Sequence, residues 1–389
     1  MSEKLTVREW LPLIGMTCAA FLFNTSEFMP IGLLSSIAAD FAMTEAEAGR
    51  IVSIYAWVVM LLSMPLMVMA SRYGLRTLIL ANLTLFVLSN TLASQAGDFW
   101  TLLAARLVLA CAHAVYWSIA APAAVRLVKP ELKTLAMSML IAGSSLAVIL
   151  GMPLGRVIGL QLGWRMSFLA MGIVAAVILL YMLWVFPSLE KTERFSFRQL
   201  PELLQNKILL GLYGIAALIP TAQYTAYSYI EPFMKFVAAM SDDTVTVSLM
   251  IFGFAGLLGS VVFSRLYDKY DRAFMPVVLV LLTAALLLLH LASLHSYTMI
   301  ALFICWGVLM TCFAMSSQAD LLQATTASAA PVAMSIYSGI FNFGIGSGTW
   351  VGGRICDVSL AYIGYGAGAI ALLGALFSIW LARERETGR

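Results

Sequence analysis

Charge is what this chain has least of. Asp, Glu, Lys and Arg make up 11% of its 389 residues, against 61% hydrophobic. A chain of this length has room for two or three soluble domains, but soluble domains carry about 25% charge, so that class is excluded and a polytopic all-α membrane protein is indicated. The net charge of +3 is too small to argue for nucleic acid as a partner. Cysteine is sparse as well. Cys18, Cys111, Cys305, Cys312 and Cys356 form no CxxC and mostly fall inside apolar runs, so free thiols that pack as small apolar groups are expected, with no disulfide or metal framework. His113, His290 and His295 lack metal-ligand spacing. No GxxxxGK[ST] loop is present to cradle ATP phosphates, and no HExxH or GxSxG to support hydrolysis. An ATP-driven pump, an intramembrane hydrolase and a resident cofactor are therefore not expected, and the chain does not read as an enzyme. Secretory cleavage is also missing: the run after Lys4 and Arg8 is too long for a signal segment and is expected to stay as an anchor.

What is present is long apolar runs. A helix needs about 20 such residues to cross the hydrocarbon. That length and the polar breaks predict twelve spans, near 11–34, 48–70, 77–96, 100–125, 135–158, 164–186, 207–236, 244–266, 274–293, 298–321, 333–355 and 361–382. The one long polar connection, 187–206, carries Glu190, Lys191, Glu193, Arg194, Arg198 and Glu202. It divides the chain into an N-terminal six-helix bundle (1–186), a linker (187–206) and a C-terminal six-helix bundle (207–389). With the N-terminus placed inside, most of the 23 lysines and arginines fall on that one side, so both termini are expected to be cytoplasmic. The halves also repeat. Ala333-Met334-Ser335 lies 197 residues after Ala136-Met137-Ser138, and the same offset carries Gly151 to Gly348 and Gly155 to Gly352. Six helices separate the copies, so the halves are parallel, pseudo-symmetric repeats.

A carboxylate sits inside the first span. Glu27 follows Asn24 by three residues and precedes Pro30, so Asn24 and Glu27 share a helical face, and the proline invites a kink beside them. An acid at that depth costs at least ~2.5 kcal/mol against lipid and must face protein or water. The fourth span holds Arg106 and His113, seven apart and on one face. Counted at 1.5 Å per residue, Arg106 lies about 10 Å below the outer surface, at the depth of Glu27, which predicts a Glu27–Arg106 pair. His113 falls near the midplane, where an imidazole is the side chain able to load and release protons near neutral pH. A neutral histidine bonded between helices is the alternative, as a helix-gluing acid is for Glu27.

In the seventh span Tyr224, Tyr227 and Glu231 fall at i, i+3 and i+7 and make a polar-aromatic stripe suited to a small polyol or amphipathic organic molecule. An interfacial belt with Tyr229 and Glu231 among headgroups is equally open. The fifth span carries Gly151, Pro153 and Gly155, and the eleventh is as glycine-rich, a spacing for close helix packing with a bend. Asn342 and Trp306, with Ser316, Ser317 and Gln318, are weaker candidates for cavity contacts.

With these features the sequence resembles the major facilitator superfamily over essentially its whole length. The blocks FNTSEFMPIGLL, AHAVYWSIAA, GMPLGR with GWRMSF, QYTAYSYIEPF and SGIFNFGIGSG are similar to bacterial sugar efflux transporters in its drug:proton antiporter branch. The resemblance implies an alternating-access exporter of sugars such as arabinose, thiogalactosides or related molecules. It implies a proton gradient as the energy source and the inner membrane as the location. Multidrug efflux, or an uncoupled facilitator or receptor, remain alternatives, and a monomer is expected. Glu27, Arg106 and His113 become the proton-coupling residues. Asn24, Glu27, His113, Tyr116, Gln223, Tyr224, Tyr227, Glu231 and Asn342 become substrate contacts. The family's cytoplasmic loop motif GxLADRxGRR is kept at Arg72, Gly74 and Arg76, with Ser71 where aspartate is usual. Its second copy keeps Asp268, Lys269 and Arg272, with Asp271 in place of glycine.

Overall fold

The computed structural model describes residues 7–70, 72–189, 203, 205–326 and 329–387. The charged residues expected between 190 and 202, and Lys4, lie outside them, as does the side chain of Arg272. Every regular element among the described residues is helical. The chain runs α1 (Val7–Phe28), a 3-10 turn (Met29–Leu33), α2 (Leu34–Asp40), α3 (Glu45–Ala48), α4 (Arg50–Ala70), α5 (Leu75–Ser94) and α6 (Phe99–Arg126). It continues through α7 (Lys133–Leu146), a π-helical turn (Ala147–Gly151), α8 (Met152–Leu162) and α9 (Trp164–Val185). Then come α10 (Lys207–Tyr227), α11 (Asp242–Leu287), α12 (Leu289–Ala292), α13 (Ser296–Gln323), α14 (Ala330–Cys356) and α15 (Ile363–Thr387).

Nine helices among the described residues are long and apolar enough to cross a membrane, and Ala273–Leu287 is a shorter apolar one. The first and eleventh expected spans are helical too; one is broken by the 3-10 turn and the other is rich in glycine. Local chemistry sets several starts. The Asp98 carboxylate accepts from the Thr101 N–H at 2.9 Å at the head of α6, and these hydrogen bonds hold it below the usual carboxylate range. The Asn206 side chain caps α10 from outside by accepting from the Ile208 and Leu209 N–H groups.

The structure departs from the expected spans at several places: the first is broken at Met29–Leu33, the seventh turns at Ser228 and Tyr229 into a short helix and a π-helical turn, and the eighth and ninth are joined. A break over 267–273 was expected between the eighth and ninth spans, but α11 is one helical element from Asp242 to Leu287, with Pro276, which has no N–H to give, beyond the polar run. The polar run Ser264–Phe274 contains no glycine or proline, so charge interrupts the apolar pattern there without interrupting the helix.

The chain forms two compact units, Met1–Ala42 with Val58–Phe195 and Met43–Trp57 with Ser196–Arg389. In the first, α5 packs on α6 and α9, and α1 lies along α7, α8 and α9. In the second, α11 packs on α13 and α15, α10 on α14 and α15, and α3 on α14. The same device recurs within each unit. A Cβ at Gly143 would run into the Thr17 carbonyl and one at Gly151 into the Thr25 side chain; in the second unit Gly348 meets the Thr221 carbonyl and Gly352 that of Thr225. Backbone cannot yield as a flexible side chain does. Gly348→Val is therefore expected to cost ~1–3 kcal/mol or more through overpacking, read as a lowered melting temperature in detergent. Gly339→Val, at a glycine with nothing within 4 Å, is the matched control and is expected to leave the melt unchanged.

Candidate functional site

The first helix breaks where the sequence puts proline. In an α-helix the N–H of residue 30 would bond the carbonyl of residue 26, and Pro30 has none to give. The backbone tightens into the 3-10 turn at Met29–Leu33, and Arg106 from α6 supplies what is missing. Its Nη1 donates to the Ser26 carbonyl at 2.5 Å and its Nη2 to the Glu27 carbonyl at 3.2 Å. Arg156 from α8 does the same one turn on, donating to the Gly32 carbonyl at 2.7 Å. Both guanidinium groups are fully buried, so they serve as fixed donors to main-chain carbonyls in an apolar interior.

Around this break the acid, base and amide groups converge. Glu27 is buried, and its Oε2 lies 3.7 Å from His113 Nε2. The His113 ring packs edge-on against Phe23 and beside Trp117. Ser26 donates to Asn90 Oδ1 at 3.2 Å, and Asn90 Nδ2 donates to the Phe86 carbonyl at 3.0 Å. α5 thus holds the same short segment from the other side. The sequence predicted a Glu27–Arg106 pair; the structure brings the Arg106 guanidinium to the same segment, on the Ser26 and Glu27 main-chain carbonyls, where its charge acts on the Glu27 carboxylate, and adds the His113 imidazole beside that carboxylate. Tyr116 stacks on Phe23 at 4.2 Å, and its hydroxyl donates to the Met16 carbonyl, so it meets its surroundings through its ring. Asn24 is half-buried, with no hydrogen bond from its amide among the described residues.

The second unit carries a separate amide-aromatic patch on α10, α11 and α13. Gln223 Oε1 accepts from Trp306 Nε1 at 2.5 Å. Tyr227 packs 4.8 Å from Phe252, 5.9 Å from Trp306 and 6.1 Å from Tyr224. Glu231 and Tyr229 are buried, and the Tyr229 hydroxyl donates to the Thr349 carbonyl. The belt alternative, which put these two side chains among headgroups, does not hold. Asn342 is half-buried and donates to the Ser338 carbonyl. Ser316 and Ser317 are buried, while Gln318 is exposed.

The motif residues sit as follows. Arg72 is exposed, Gly74 precedes the first turn of α5, and Arg76 donates to the Leu183 carbonyl at the end of α9. Pro153 starts α8 directly after the π-helical turn, between Gly151 and Gly155. Asp268 and Lys269 are exposed on α11, with the Lys269 ammonium 5.0 Å from the Tyr270 ring. Reasoning from sequence missed three contributors, Asn90, Arg156 and Asp320, which is buried on α13 and accepts from the Tyr267 hydroxyl at 2.5 Å; it singled out Trp306 and Gln223 but not their pairing. Arg156 and Asp320 carried the signal that singled out Glu27, a charge inside an apolar span. Asn90 and the Gln223–Trp306 pairing carried none.

Two six-helix repeats with ionisable groups buried at a broken helix define a secondary transporter of small molecules. A sequence signature of the Major Facilitator Superfamily matches residues 16–331 and 212–389. A "Probable sugar efflux transporter" of Pasteurella multocida (strain Pm70) is 40% identical over 373 residues, covering 96% of this chain and 92% of that protein. The fold matches two crystal structures of a bacterial homologue of the human lysosomal transporter Spinster, both inward-facing, one unoccupied and one occupied. Each has a TM-score of 0.79, 13% identity and 98% coverage of both chains. The chain belongs to the major facilitator superfamily and is a multi-pass membrane transporter.

Proposed function

We propose that this transporter exports sugars or closely related small polar molecules across a bacterial inner membrane in exchange for protons. The observation that carries the reading is the Glu27–His113 contact at 3.7 Å, buried in a broken membrane helix beside a fixed guanidinium. With one proton shared between carboxylate and imidazole the pair is attractive; adding or removing a proton changes its charge against a positive neighbour that cannot titrate. A change of that kind biases one access state over the other, and substrate bound more tightly to one of them completes the exchange. Asn24, His113, Gln223, Tyr224 and Tyr227 are the proposed substrate contacts, with Tyr116, Glu231 and Asn342 shaping their surroundings. The relative from Pasteurella multocida supports sugar as the substrate class.

The bend at Gly151, Pro153 and Gly155 is proposed to flex during the cycle, with Arg72, Gly74, Arg76, Asp268, Lys269 and Arg272 stabilising the inner surface. Both termini are placed in the cytoplasm and the working unit is a monomer. The test is proton movement. In sealed, weakly buffered vesicles carrying the purified protein, adding arabinose or a thiogalactoside is expected to drive a proton flux opposite to the sugar. Sugar movement without any proton flux would leave an uncoupled facilitator in its place.

A further inference from the structure

The Gln223–Trp306 contact fixes which chemistry Gln223 can offer. An amide side chain has an acceptor end and a donor end that are alike in shape and can exchange by a flip. An indole N–H can only donate. The atom of Gln223 that sits 2.5 Å from Trp306 Nε1 is therefore its oxygen, and the flip is closed. The indole cannot move aside to reopen it: Trp306 is 1% exposed, with Phe252, Phe303 and Tyr227 rings 5.6, 5.7 and 5.9 Å away. The Nε2 end of Gln223 makes no hydrogen bond among the described residues, although Gln223 is 4% exposed. Gln223 Nε2 is not among the polar atoms sealed from solvent without a partner, so this end of the amide stays open to an incoming acceptor.

We propose that Trp306 makes Gln223 a donor-only contact, so that this point of the site takes an acceptor oxygen of the sugar and rejects a cationic amine. The inference rests on Gln223 being a substrate contact, as proposed above. Trp306 acts through Gln223 and is a positioning residue that sets specificity. The neighbouring rings of Tyr227 and Phe252 supply apolar faces for the carbon side of the sugar, so the amide alone selects the polarity at its position.

The experiment uses the full-length protein in nanodiscs and measures binding of methyl thiogalactoside and of its monodeoxyfluoro and monoamino derivatives, one hydroxyl at a time. Fluorine accepts and does not donate, and the ammonium donates and does not accept. For the wild type, one hydroxyl position is expected where the fluoro derivative binds within about tenfold of the parent and the amino derivative is weaker by about a hundredfold. Trp306→Phe, which frees the amide to turn, is expected to narrow that gap at least about tenfold while the parent sugar still binds. Gln223→Glu, which leaves a carboxylate oxygen where the donor was, is expected to invert the order and favour the amine. Melting curves with and without sugar establish that each variant is folded. An unchanged order of the three ligands in Trp306→Phe and Gln223→Glu, with Gln223→Ala still weakening the parent, overturns the donor-only assignment and leaves the substrate contact standing. If Gln223→Ala binds every ligand as the wild type does, the contact itself is wrong and this inference falls with it.

Discussion

Glu27→Gln is expected to uncouple transport. The amide has nearly the carboxylate's shape, keeps the 3-10 turn and the Arg106 contacts to the main chain, and removes the one acid from the pair with His113. Coupling free energies between two sites are typically ~1–3 kcal/mol, a factor of about 5–150 in relative affinity, and the whole of it is expected to vanish here. Wild-type vesicles with an imposed pH gradient should accumulate sugar against its gradient. The variant should equilibrate it, with a rate flat across pH and no proton flux on adding sugar. His113→Ala should share the loss. If both variants keep the wild-type pH dependence, the proton site lies elsewhere, with Asp320 on α13 the next buried acid to examine.

Arg106→Met is expected to have the largest effect on stability. Removing the guanidinium strips the donors from the Ser26 and Glu27 carbonyls and leaves a buried carboxylate without its positive neighbour. Breaking a buried charge pair in this way costs ~3–5 kcal/mol. Arg106→Lys should recover little, because one ammonium cannot serve two carbonyls in the planar fork that Arg106 presents. A specific suppressor follows from the geometry. Pro30→Ala restores the N–H that an α-helix would aim at Ser26, so in the Arg106→Met background it should return about 1 kcal/mol as a higher melting temperature. Transport should stay absent in the double variant, since the charge is still missing. An additive outcome, with Pro30→Ala lowering stability alike in both backgrounds, would show that the proline and the arginine are not linked.

Much of this was legible in the sequence because lipid enforces simple rules. Apolar runs of fixed length marked the spans, and the 197-residue offset of the Gly151 and Gly155 pattern anticipated matching close contacts, of Gly151 with Thr25 and Gly155 with Met29 in one unit and of Gly348 with Thr221 and Gly352 with Thr225 in the other. Glu27 and Arg106 stood out because charge in an apolar run demands an explanation. Partner choice was not legible. Arg106 and Glu27 were placed at equal depth from rise per residue, but that the guanidinium also serves main-chain carbonyls depends on which backbone oxygens are left without donors. Pro30 decides that through hydrogen bonding rather than charge. The pairing of Gln223 with Trp306 joins residues 83 positions apart, and no periodicity within one helix reports on it. Tyr229 and Glu231 could be headgroup anchors by position alone; the fit of the Tyr229 ring against Gly352 and the burial of Glu231 put them inside.

The unbroken course of α11 from Asp242 to Leu287 has a practical bearing on how this transporter can be handled. A hydropathy profile marks 268–272 as the natural place to insert an epitope, a protease site or a fluorescent reporter, because it looks like a hydrophilic hairpin between two spans. An insertion there would instead fall inside a helical element, and the main-chain hydrogen bonds it displaces would have to be made again around it.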